Sequence, residues 1–146
     1  MRGKYHTFPC GYRQIRTVTL AGDWRVIAAA HAEAGHNGWH ISVVVVDAGG
    51  QLAAFDRFDA DDGRIGVSGR EGLQKARSAA LLRASSGEFN NFINHGRPGF
   101  VATPGTPLEG GVPLAAGEVI GAVVVSGAHG ANDSQMTQAA AAAVRE

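Results

Sequence analysis

Cysteine, aromatic residues and charge of one sign are all scarce in this chain, and each scarcity closes a class of explanation. Cys10 is the only cysteine among 146 residues. No intrachain disulfide can form and no Cys-rich zinc or iron–sulfur site can be built, which suits a reducing compartment. Two Trp, two Tyr and six Phe leave no material for a large aromatic core. Thirteen Lys and Arg balance thirteen Asp and Glu, so no net field calls for nucleic acid or an anionic membrane as partner. No apolar stretch approaches the roughly 20 residues that cross a bilayer. Residues 1–19 carry basic side chains but no apolar core of a secretory signal. The expectation is a soluble, cytoplasmic protein. Phosphate loops, dinucleotide fingerprints, nucleophile elbows and HExxH or CxxCH motifs are missing too, which removes support for the common nucleotide, serine-hydrolase and zinc-hydrolase chemistries.

What is present is 45% apolar residue content, 18% charge and 21 glycines, the balance of one globular domain with tight turns and close backbone packing. Arg2, Lys4, Arg13 and Arg16 precede every acidic residue. Residues 1–16 therefore read as a basic, flexible extension to a single, slightly acidic domain over 17–146.

Leu20, Trp24, Ile27 and His31 fall at i, i+4, i+7 and i+11, which predicts a helix with those residues on its apolar face, ending near Gly35. Ile41 to Val46 is a β-branched run closed by Asp47-Ala48-Gly49-Gly50, and Gln51 to Arg57 follows, so a hairpin is expected. Val43 to Val46 shows no polar alternation and predicts a strand covered on both faces. Ser68 and Glu71 have capping-box spacing and predict a helix over 69–83, with Leu73, Ala76 and Ala80 on one face. Residues 85–108 hold Gly and Pro throughout and read as mostly irregular, with a short turn around 89–93. A second hairpin is expected from Gly110 to Ser126. A final Ala-rich helix opens at Asn132, spaced three residues from Gln135 as in a capping box. Sequence-adjacent hairpins and covering helices give an α+β fold with an antiparallel sheet.

Each residue able to carry chemistry also has a plain structural reading. His31, on the apolar helix face, is placed to ligate a metal or haem iron, or to donate one hydrogen bond in the core. His36 and His40 flank a turn and are expected to be exposed. Arg57 with Asp59, Asp61 and Asp62 forms either an anion-binding cluster, with Arg57 holding the anion and Asp59 positioning it, or a solvated turn with a local ion pair. Lys75 points into a pocket at the sheet edge or snorkels to water. Gly110 and Gly111 permit close backbone approach to a ligand. His129 precedes a helix N-terminus whose backbone N–H groups, with His129 as acid or base, could hold a small anion or carboxylate; the plain reading is a turn capped by Asn132 or Asp133. No arrangement calls for a dedicated metal site.

Four segments taken together, NGWHISVVVVDAGGQLAAFDRFDA (37–60), LQKARSAALL (73–82), GGVPL (110–114) and EVIGAVVVSGAHGANDSQMTQAAAA (118–142), resemble the GlcG/HbpS-like family. That family is associated with haem binding and degradation, and also occurs as the C-terminal domain of some corrinoid adenosyltransferases. The resemblance implies a profilin-like, three-layer α/β/α fold with a central antiparallel sheet of about five strands. It also implies haem as the ligand and a homo-oligomer, commonly an octamer. The chain departs from the family pattern after Arg57-Phe58-Asp59, where Ala60-Asp61-Asp62-Gly63 makes a more acidic loop, and no haem-ligating His can be matched by motif. Three functions follow. The first is a haem or tetrapyrrole binder with a His as axial ligand. The second is a small-molecule enzyme of the isomerase or dehydratase kind, with Arg57 or Lys75 holding a carboxylate or enolate oxygen and His129 or Asp133 moving a proton. The third is a purely structural oligomer. The family places the tetrapyrrole binder first, since no residue pattern names a reaction.

Overall fold

The computed structural model describes Gly11, residues 14–57 and residues 65–145, the side chains of 65–68 excepted. Thr19 caps the first helix, α1 (Leu20–Asn37), its hydroxyl accepting from the Gly22 N–H at 3.2 Å. The helix runs two residues beyond Gly35 and stops where Gly38 turns left-handed, φ 68°, a conformation glycine adopts without Cβ penalty. β1 (Ser42–Asp47) and β2 (Leu52–Arg57) form the first hairpin. Its turn is held by Asp47 Oδ1, which accepts from the Gly49 and Gln51 N–H groups. α2 (Ile65–Leu82) and α3 (Ser86–Asn94) follow, then a 3₁₀ turn over Pro98–Ala102. β3 (Val112–Ala115) and β4 (Val119–Ser126) form the second hairpin, and α4 (Ala131–Ala142) closes the fold.

All neighbouring strands run antiparallel in the order β2-β1-β4-β3. The two Val-rich strands lie side by side at the centre, Val43 opposite Val125 and Val45 opposite Val123. Both faces of these strands are covered, as the missing alternation predicted. Val44, Val46, Ala122 and Val124 pack under Ala76, Ala79 and Ala80 of α2. Val43, Val45, Val123 and Val125 pack on the other face against Val26, Ile27, Ala30 and Ala34 of α1 and Met136 and Ala140 of α4. Each fully buried Val contributes about 1.5–3 kcal/mol by leaving water, so the centre of the sheet is where the fold is held together.

Several expectations are corrected. The sheet has four strands rather than about five among the described residues: the stretch 85–108, read as mostly irregular, forms α3 and the 3₁₀ turn, and the second hairpin contributes only β3 and β4. α2 begins at Ile65, so Ser68 lies inside the helix and does not cap it. The Asn132–Gln135 capping box is also not made. α4 starts after Gly130, and the Asn132 amide donates to the Ala128 carbonyl instead. On α1 the apolar face is rotated: Leu20 and Trp24 are 66% and 56% exposed, and the buried face is Gly22, Asp23, Val26, Ile27, Ala30 and Ala34. Small residues win that face because α1 packs closely on α4. Within it Asp23 is 4% exposed, with no hydrogen-bond partner at Oδ1 among the described residues. Burial pushes this carboxyl above its ordinary pKa.

The β3 edge is sealed by close approach. A Cβ on Gly111 would lie 2.5 Å from the Lys75 carbonyl oxygen, so only glycine lets the start of β3 rest on the α2 backbone. Ser86 locks the junction, its hydroxyl donating to the Leu108 carbonyl at 2.5 Å and accepting from the Gly111 N–H at 2.8 Å.

Candidate functional site

Strand direction brings the candidate residues to one end of the sheet. Ser42 at the start of β1 faces both Arg57 at the end of β2 and Ser126 at the end of β4. Gly110 and Gly111 enter β3 at that same end, since Val112 pairs with Val123. The residues are nonetheless spread over both edges, three strand spacings or roughly 14 Å apart, and over both faces. They sort into four separate groups.

The first is an apolar pocket of about 280 Å³ between β2 and α2, lined by Val44, Leu52, Phe55, Leu73 and Gly69, with Arg57 and Arg70 also in its wall. Sequence reading found Arg57 but missed Arg70, Leu52 and Phe55. Leu52 joins Phe55 and Arg57 on this face because a bulge opposite Val45 and Val46 breaks the simple alternation of β2. Leu52 and Phe55 remain 52% and 45% exposed, so the pocket is an open, greasy surface flanked by two guanidiniums. Asp59, Asp61 and Asp62, expected beside Arg57, lie outside the described residues.

The second group lies behind the same strand. Asp56, which alternates with Phe55 and Arg57 and so faces α1, accepts from His31 Nε2 at 2.8 Å and, through Oδ1, from the Arg57 N–H. An ionised carboxylate only accepts, so the shared proton sits on Nε2. His31 is therefore neither a pure core residue nor part of the apolar pocket: it is a partly exposed imidazole oriented by a carboxylate.

At the opposite edge, Lys75 meets Gly110 and Gly111 as a third group. Its side chain is 13% exposed, lies along Gly110 and reaches Glu71 Oε1 at 3.6 Å. Lys75 thus does not snorkel into open water, and the i, i+4 order with Glu first is the favourable one. Beside it a polar cavity of about 250 Å³ is lined by Gly110 and Gly111 with Glu88, Glu109, Asn91 and Ser134 among others. Sequence reading missed both glutamates, which meet only through the packing of α3 on the β3 entry.

The fourth group is the β4–α4 turn. Asp133 Oδ1 accepts from the Ala128 N–H at 2.8 Å, the turn-capping role that was the plain reading. His129 is exposed and has a left-handed backbone, φ 68°, strained for a residue with a Cβ. His36 and His40 are exposed, as expected. No group of three His, Cys, Asp or Glu able to hold a metal ion occurs among the described residues. No helix among them is long and apolar enough to cross a membrane.

Comparison with known proteins adds a family to this geometry. The family model described as haem degrading protein HbpS-like matches residues 18–142. Protein GlcG of Escherichia coli strain K12 is 43% identical over 103 residues, covering 69% of this chain and 75% of GlcG. Klebsiella pneumoniae protein ORFY superposes with a TM-score of 0.82 at 28% identity, over 94% of this chain and 97% of that one. A double mutant of Streptomyces reticuli HbpS superposes with a TM-score of 0.77 at 27% identity, over 90% and 89% of the two chains.

Proposed function

The chain belongs to the HbpS-like family, and from that premise we propose that it binds haem or a related tetrapyrrole, with the pocket between β2 and α2 as the seat. The observation that carries this reading is the pairing of exposed Leu52 and Phe55 with Arg57 and Arg70 around one open cavity. A tetrapyrrole of this class is a flat apolar ring with carboxylates at its rim. The apolar lining suits the ring, and guanidiniums bind carboxylates through paired N–H donors. At about 280 Å³ the pocket lies at the small end of ligand sites. It therefore holds one edge of the macrocycle and leaves the rest outside. When bound, haem supplies iron chemistry; the protein's own part is to hold the ring and fix its carboxylates.

The proton-transfer alternative has less behind it. Asp133 is engaged by Ala128, Lys75 pairs with Glu71, and Arg57 stands at the other edge of the sheet. Self-association, which the resemblance implies, is part of the proposal: Leu20 and Trp24 leave an apolar strip on α1 uncovered, a feature common at subunit contacts.

Titration of the protein with hemin, followed at the Soret band and paired with its mass in solution, tests the reading. A saturable band on an assembly heavier than the 15.1 kDa chain is expected. The double substitution Arg57→Glu, Arg70→Glu should weaken binding about a hundredfold or more, the loss of roughly two charge-assisted contacts. No saturable band would overturn it.

A further inference from the structure

We infer that this pocket recognises the macrocycle and its carboxylates rather than the metal, so that a metal-free porphyrin dicarboxylate is as good a ligand as hemin. The inference rests on the tetrapyrrole reading and deepens it. Haem iron is held in proteins by His, Cys, Met or Tyr side chains. The pocket wall offers none of these: it consists of four apolar side chains, a glycine and two arginines. A guanidinium stays protonated and has no lone pair to give a metal. The chain that joins β2 to α2, Phe58-Asp59-Ala60-Asp61-Asp62-Gly63-Arg64, and the first helical residues Ile65-Gly66-Val67-Ser68 contain no His, Cys, Met or Tyr either.

Among the described residues, the imidazole that meets this strand lies on its other side. His31 meets β2 through Asp56, and the pleat turns Asp56 toward α1 while Phe55 and Arg57 face α2. A ring seated on Phe55 has the β2 backbone between it and His31. Of the other histidines among the described residues, His36, His40, His95 and His129 line no part of the pocket. The wall therefore discriminates by shape and charge: apolar contact for the ring face and two guanidiniums for its carboxylates. Nothing in it distinguishes a ring with iron from one without.

Equilibrium dialysis of the full chain against hemin and against protoporphyrin IX, in matched buffers, decides the matter. The two dissociation constants are expected within about threefold of each other, a difference under 1 kcal/mol. Arg57→Glu with Arg70→Glu should weaken both ligands by the same factor, and His31→Ala should leave the Soret position of bound hemin in place. Hemin binding more than about tenfold tighter than the free base would overturn the inference while leaving the tetrapyrrole reading intact. So would a Soret shift in His31→Ala. Binding of neither ligand would overturn both.

Discussion

The two edges of the sheet were built for opposite ends. At the β3 edge every contact is close: Gly111 rests on the Lys75 carbonyl, Ser86 bonds two chain segments, and Lys75 is tucked along Gly110. At the β2 edge Leu52 and Phe55 are left about half exposed beside two unburied arginines. An exposed strand edge with large apolar side chains is a liability for a lone monomer. That edge is where the proposed ligand seat lies. The cavities differ in the same sense, apolar and cationic at β2, polar and bearing Glu88 and Glu109 at β3.

Substitutions of similar size should therefore have very unequal effects. Gly111→Ala puts a methyl group 2.5 Å from a backbone oxygen; a stability loss of about 3 kcal/mol is expected from urea unfolding. A loss below about 1 kcal/mol would mean the β3 edge is looser than its geometry. Ser86→Ala removes the partner of both the Leu108 carbonyl and the Gly111 N–H and should cost about 2 kcal/mol by the same measurement. Leu52→Ala removes a larger side chain from the open edge, yet should change stability by no more than about 0.5 kcal/mol while measurably weakening hemin binding. A large stability loss there would erase the contrast between the edges.

Asp23 sits on neither edge and serves as the smallest test. Its carboxyl titrates above the ordinary value in the folded state. As pH rises from the ordinary carboxylate range through the raised pKa, the unfolded chain releases its proton first and the fold loses stability. Asp23→Asn should therefore stabilise at neutral pH, with the gain shrinking to nothing as pH falls below the ordinary carboxylate pKa; thermal unfolding across that range reads it. The pH dependence of Gly111→Ala and Leu52→Ala should track the parent chain.

Local signals made much of this fold legible. Both hairpins were readable because turn residues bracket β-branched runs, and the doubly covered strand was readable because Val43 to Val46 has no polar position. Sequence reading went wrong where packing among small residues decides. On α1 the large side chains Leu20 and Trp24 outranked Ala30 and Ala34, yet close contact with α4 selected the alanines. Asn132 and Gln135 have the spacing of a cap, but Asp133 and Asn132 are drawn back to Ala128 by a left-handed turn that no local pattern announces. Arg57 stood out as a charge ending a strand. Its companion Arg70 did not, because the link between them is made only when α2 crosses over β2.

The pairing of β1 with β4 also sets how this chain must find its fold. Each hairpin can form from neighbours in sequence, but joining them aligns residues such as Ser42 and Ser126, 84 positions apart. Pairing at that separation is slow, because the entropy of closing the intervening chain must be met before the contacts form. Until the hairpins dock, Val43 to Val46 and Val123 to Val125 are two unpaired apolar edges, the kind of segment that associates between molecules. The strands that make the finished core secure are thus the ones most exposed to aggregation on the way to it, and refolding yield should fall as protein concentration rises.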